Sequence, residues 1–112
     1  MASALGVLEA KAHFTGEARA VHLRVAGDDR CIWLDLGTSD WPIVEIMASG
    51  WRIVPYSECP IRFRHSAGIV ALPEPQRGGS IAELRRFLNV ASDEDFVLVV
   101  SCLLAAFRPR GP

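Results

Sequence analysis

The chain has 112 residues, 50% of them hydrophobic and 22% charged, with a formal net charge of -1. This length allows one domain around a single core. The apolar content excludes a disordered segment, and the near balance of charge excludes a global field for nucleic acid or an anionic membrane.

Residues 3–13 can form a short helix with Leu5, Leu8 and Ala12 on one stripe. Glu9 and Lys11 interrupt the apolar stretch that a signal peptide would need there. Two β-like runs, 21–26 and 31–36, flank the turn-rich Gly27-Asp28-Asp29-Arg30 and predict a hairpin. Pairing about Asp28-Asp29 sets Val25 opposite Ile32, Leu23 opposite Leu34 and Val21 opposite Leu36, all on one side. The other side then sets His22 across from Asp35 and Arg24 across from Trp33, read as a solvated ion pair and a cation-π pair rather than as catalytic groups.

A second hairpin is predicted from residues 41–47 and 51–55, turning at Ala48-Ser49-Gly50. It pairs Ile46 with Trp51, Val44 with Ile53 and Glu45 with Arg52. Pro42 and Pro55 lack amide donors and belong at strand ends or a sheet edge. Residues 61–64, and less regularly 69–72, extend this into an antiparallel β-meander over 21–72, of two hairpins plus one or two short strands.

Residues 73–79, rich in Pro and Gly, form a connector. Two helices are expected over 80–108. Ser80 and Glu83 have the spacing of a capping box for a first helix with Ile81, Leu84 and Leu88 on one face. Ser92 caps a second helix that carries Asp93, Glu94 and Asp95 in its first turn and runs to Phe107, where Arg108 suits the dipole and Pro109 stops it. That helix is strongly apolar on every side. It is too short to span a bilayer, and a helix of this kind requires cover from other structure. The fold class is therefore α+β, a single domain over 1–112 built as a small meander followed by two C-terminal helices.

No residue pattern supports catalysis by this chain. There is no GxxxxGK[ST], the single lysine is Lys11, and Ser57, Ser66 and Ser101 lack a GxSxG setting. His13, His22 and His65 are not spaced for a shared metal, and Gly78-Gly79-Ser80 reads as a capping turn more simply than as a phosphate site. Cys31, Cys59 and Cys102 have no zinc or disulfide spacing and read as reduced thiols of a cytoplasmic protein. No catalytic, cofactor-binding or metal residue is assigned. Arg62, Arg64 and His65 form the best local basic cluster for nucleic acid or another partner; an ordinary solvated strand face is the plainer account. Phe96, Val99, Val100, Leu103 and Phe107 are the candidate docking residues of the last helix.

From Ile32 to Pro112 the Trp41 and Trp51 pair, the LPEP turn, the Gly-Gly before a helix and the terminal RPRGP recur in an order that resembles a known segment. It lies immediately upstream of the P-loop in bacterial and prophage-type ATP-binding proteins related to phage primase-helicases. In such proteins RPRGP is followed by a short apolar strand and a Walker A loop. The resemblance therefore implies an accessory domain of a helicase-like P-loop ATPase associated with mobile DNA, with ATP and Mg held by a core outside these residues. It implies that this core is the partner, joined in cis, that covers the apolar helix; DNA is a further expected contact, and a membrane is not. The alternative is a free-standing interaction module that dimerises or binds another protein through the same helix.

Overall fold

Four antiparallel strands follow one another in space as they do in sequence: β1 (Val25–Gly27), β2 (Cys31–Asp35), β3 (Ile43–Met47) and β4 (Gly50–Val54). They belong to a computed structural model that describes residues 3–109. With helices at both ends of the chain, the fold is α+β.

The β3–β4 hairpin has the expected register, with Val44 opposite Ile53, Glu45 opposite Arg52 and Ile46 opposite Trp51. Glu45 accepts a hydrogen bond from Arg52 Nε, so the one charged cross-strand pair closes on itself. The β1–β2 register differs from expectation by two residues: Val25 faces Leu34, and Gly27 faces Ile32. The Asp28 side chain is the reason. Its Oδ1 accepts from the amides of Arg30 at 2.8 Å and Cys31 at 3.0 Å, and its own amide donates to the Cys31 carbonyl at 3.0 Å. This side-chain turn takes up more chain than a two-residue loop does. An even slip keeps the same side chains together on each face but moves their partners. Arg24, not His22, comes to lie beside Asp35, whose amide donates to the Arg24 carbonyl at 2.9 Å.

The face that carries the core is also not the one the apolar alternation suggests. Val25, Ile32 and Leu34 share a face and are half-buried, and of their neighbours on it Val44, opposite Leu34, is buried. The core instead gathers Ala26, Trp33, Ile43, Val54 and Phe63 on the other face. Cys31, Trp41, Tyr56, Cys59 and Ile61 pack around it. The chain leaving β4 folds back over that face, beginning with a 3-10 turn at Tyr56–Glu58, and so decides which side is covered.

Residues 61–64 and 69–72 do not become meander strands. Phe63 makes a single parallel bridge with His22, fixed by bonds from the His22 amide to the Arg62 carbonyl (2.9 Å) and from the Arg64 amide to the His22 carbonyl (2.8 Å). Phe63 points inward and is 6% exposed, so alternation is satisfied by burial rather than by a sheet partner. Farther on, the Leu72 amide donates to the Leu36 carbonyl at 2.8 Å. Arg77 donates to the Trp51 carbonyl at 2.6 Å with its guanidinium 4.5 Å from the Trp51 ring centre. The connector is thus a strap fastened near the end of β2 and near the start of β4.

The helices lie outside this sheet. α1 (Ala4–Thr15) is capped by Ser3, whose hydroxyl accepts from the Gly6 amide, and α2 (Asp93–Ala106) by Ser92, whose hydroxyl accepts from the Asp95 amide. Between strap and α2, Ile81–Phe87 is a 3-10 helix rather than the expected α-helix. Ser80 does cap it, but its hydroxyl takes the Ala82 amide, so the expected reciprocal box with Glu83 does not form. Of the expected row Ile81, Leu84 and Leu88, Leu84 and the C-cap Leu88 are half-buried, whereas Ile81 is exposed.

Neither α1 nor α2 contains a buried residue. The chain measures 67 × 26 × 26 Å with a radius of gyration of 18.8 Å, against about 13 Å for a close-packed domain of this length. Its accessible surface is 9042 Å², where roughly 6,100 Å² is usual for this mass. The helices α1 and α2, which bury no residue, contribute to that excess.

Candidate functional site

Asp35 ends β2 on the core face and is completely buried, an arrangement tolerable only if both carboxylate oxygens find donors. Oδ1 accepts from the Gly37 amide at 2.8 Å, and Oδ2 lies 2.6 Å from His65 Nε2. The His65 ring in turn stacks on Trp41, with centroids 3.6 Å apart and planes 5° apart, and Trp41 leans on Tyr56 at 5.2 Å. The chain holds Trp41 with φ +54°, the one non-glycine residue in the left-handed region among the described residues. The Trp41 amide donates to the Thr38 carbonyl at 3.2 Å across the turn that aims the indole.

This constellation resembles the orienting half of a nucleophilic relay, a carboxylate fixing an imidazole. Among the described residues no hydroxyl or thiol hydrogen-bonds to His65. Two thiols pack against the same core, and both are shifted toward the protonated form. Burial pushes the Cys59 thiol up, and the charge of Asp35 adds to that. Burial, then the charge of Glu45, does the same to Cys31. The arrangement works as a clamp that fastens the returning chain to the sheet.

The clamp divides the predicted basic cluster. Arg62 and Arg64 are exposed on either side of buried Phe63, whereas His65 turns inward to Asp35. His22, which the sequence pairs with Asp35, instead sits edge-on to Phe63 at 6.4 Å and lines an open cleft with Arg19 and Arg62. Arg19 is already bound to Glu17 at 2.6 Å, so the free cationic surface here reduces to Arg62 and Arg64.

The predicted docking residues of α2 fall together on one stripe, Phe96, Val99, Val100, Leu103 and Phe107, because they repeat at three- and four-residue intervals. All but Leu103 are half-buried, and Arg85 covers part of Phe96 at 5.2 Å while bonding Asp93 at 2.5 Å. A second stripe is not legible in the sequence, where apolar residues fill most positions after the first turn. Val97 and Leu104 are 60% and 67% exposed and, with Glu94, Ser101 and Arg108, face away from the rest of the chain.

Among the described residues no group of three His, Cys, Asp or Glu is placed to hold a metal ion, and no helix is long and apolar enough to cross a membrane. No family model, curated protein or solved structure matches the chain.

Proposed function

We propose that the chain is a non-catalytic docking domain that seats a P-loop ATPase core, helicase-like and associated with mobile DNA, on helix α2. The observation that carries this reading is an apolar α2 without a single buried residue. A helix with Phe96, Val99, Val100, Leu103 and Phe107 on one stripe buries them against something, and within this chain none of them is more than half-buried. The resemblance of residues 32–112 to the segment preceding a P-loop supplies the identity of the partner. ATP and Mg belong to that core. Arg62 and Arg64 add a contact for the DNA on which such a core works.

Co-expression with a P-loop ATPase core encoded beside this chain tests the reading. The expected outcome is co-elution on size exclusion, abolished by the double substitution Phe96→Asp and Phe107→Asp while the sheet still unfolds at its original urea midpoint. Separate elution of the two wild-type proteins would end the proposal.

A further inference from the structure

The outward stripe of α2 has a charge order that selects its own partner. Glu94, Ser101 and Arg108 recur at intervals of seven, as do Val97 and Leu104, which is the spacing of a two-helix seam. All five residues are exposed; Arg108 follows the C-cap Phe107, and its amide donates to the Ala105 carbonyl at 3.1 Å, which holds it one tight turn beyond the last helical residue, Ala106. Among the described residues neither Glu94 nor Arg108 has an ion-pair partner, whereas the neighbouring Asp93 is already taken by Arg85.

We infer that two copies of this chain pair through α2, antiparallel, about a two-fold axis at Ser101. With Ser101 facing its counterpart, Glu94 of one copy meets Arg108 of the other twice over, Val97 meets Ala105, and Leu98 meets Leu104. Large residues then face small ones along one side, and the hydroxyl of Ser101 lets the backbones approach at the centre. A parallel pair would set Glu94 against Glu94 and Arg108 against Arg108, four like charges at the two ends of the seam. The helix dipoles favour the antiparallel choice as well. The contact is isologous and closes at two copies. A seam of one 14-residue helix is short, so the dimer exchanges with monomer.

This pairing is independent of the ATPase reading, since it uses the stripe opposite Phe96 and Phe107. One helix covered by two partners on two sides also accounts for exposed Val97 and Leu104 outside the Phe96 stripe.

Static light scattering across a concentration series is the test, with circular dichroism to confirm that each variant keeps its helix. The mass should rise from 12.3 kDa toward twice that value and stop there. Glu94→Arg alone and Arg108→Glu alone should each raise the dissociation constant by about tenfold, which corresponds to roughly 1.4 kcal/mol. The double variant, with the charges exchanged, should recover most of the affinity. Ser101→Cys in a Cys102→Ser background should form an interchain disulfide on mild oxidation. Phe96→Asp with Phe107→Asp should leave the dimer intact, which separates this inference from the docking reading. A mass fixed at the monomer value, growth beyond two copies, or a double variant no better than the singles would overturn it.

Discussion

His65 lies flat on Trp41, ring centres 3.6 Å apart, while its Nε2 reaches 2.6 Å to a fully buried Asp35 Oδ2. Thirty residues separate Asp35 from its imidazole partner, so this bond closes the loop that covers the core face. Replacing Asp35 with alanine strands the His65 ring nitrogen and the Gly37 amide together. The expected loss is about 2–4 kcal/mol, read as the urea midpoint of tryptophan fluorescence. Asp35→Asn, which retains shape and one acceptor, should lose less. A loss under about 0.5 kcal/mol for the alanine variant would show that the clamp does not hold the fold.

Gly37 tests the joint between sheet and strap. Its φ is +71°, and an added Cβ would sit 2.8 Å from Ile69 Cγ2 and 3.1 Å from an Arg24 guanidinium nitrogen that also bonds the Asp35 carbonyl. Gly37→Ala should therefore destabilise by about 1–3 kcal/mol. Gly78, also at positive φ but with nothing within 4 Å of the added carbon, supplies the comparison. Thermal unfolding should show the larger loss at Gly37, and equal losses would mean that only backbone strain matters.

The half-buried thiols give stability an alkaline limb. Cys31 and Cys59 are both raised from the ordinary thiol value of 9.0, in each case chiefly by burial. The folded state holds these protons more tightly than the unfolded state, so stability is undiminished below that value and falls as pH rises above it. The fall should lessen in the Cys31→Ser and Cys59→Ser variants. Iodoacetamide at pH 8, followed by mass spectrometry, should mark exposed Cys102 well before the other two. Equal labelling of all three would contradict the burial described.

Arg62 and Arg64 are the remaining cations of the basic cluster. Binding of a fluorescent single-stranded oligonucleotide at low salt should weaken when both become alanine. The dependence of affinity on salt should flatten by about 1.4 in the log–log slope, some 0.7 for each phosphate that an arginine no longer neutralises. His65→Ala should instead lower stability, since its polar partner is Asp35. An oligonucleotide that binds both proteins equally would remove DNA guidance from the proposed function.

How far these features can be read in advance depends on distance along the chain. The β3–β4 register is legible because Ala48-Ser49-Gly50 marks the turn and Glu45 opposite Arg52 agrees with it. The β1–β2 register is not, because Asp28 uses its side chain as part of the turn and displaces the pairing by two. Which face is buried cannot be read from alternation when both faces carry apolar residues; it is settled by Phe63 and Tyr56 returning from beyond β4. The Asp35–His65 bond leaves one local trace, an acid at the end of an otherwise apolar strand, and that trace points to His22 because His22 is nearer along the chain. The Ser92 cap and the limits of α2 are local and legible. The division of α2 into two stripes is not, because the run of apolar residues after its first turn has no clear phase.

Gly78 and Gly79 stand where the strap leaves Trp51, with φ +96° at Gly78 and open space around both. They lead into the 3-10 helix Ile81–Phe87 and, beyond it, α2. A few degrees of rotation there sweep the tip of α2 through an arc that grows with its distance from the joint, while the sheet stays as it is. Shortening or stiffening the pair of glycines would narrow that reach without changing a single contacting residue.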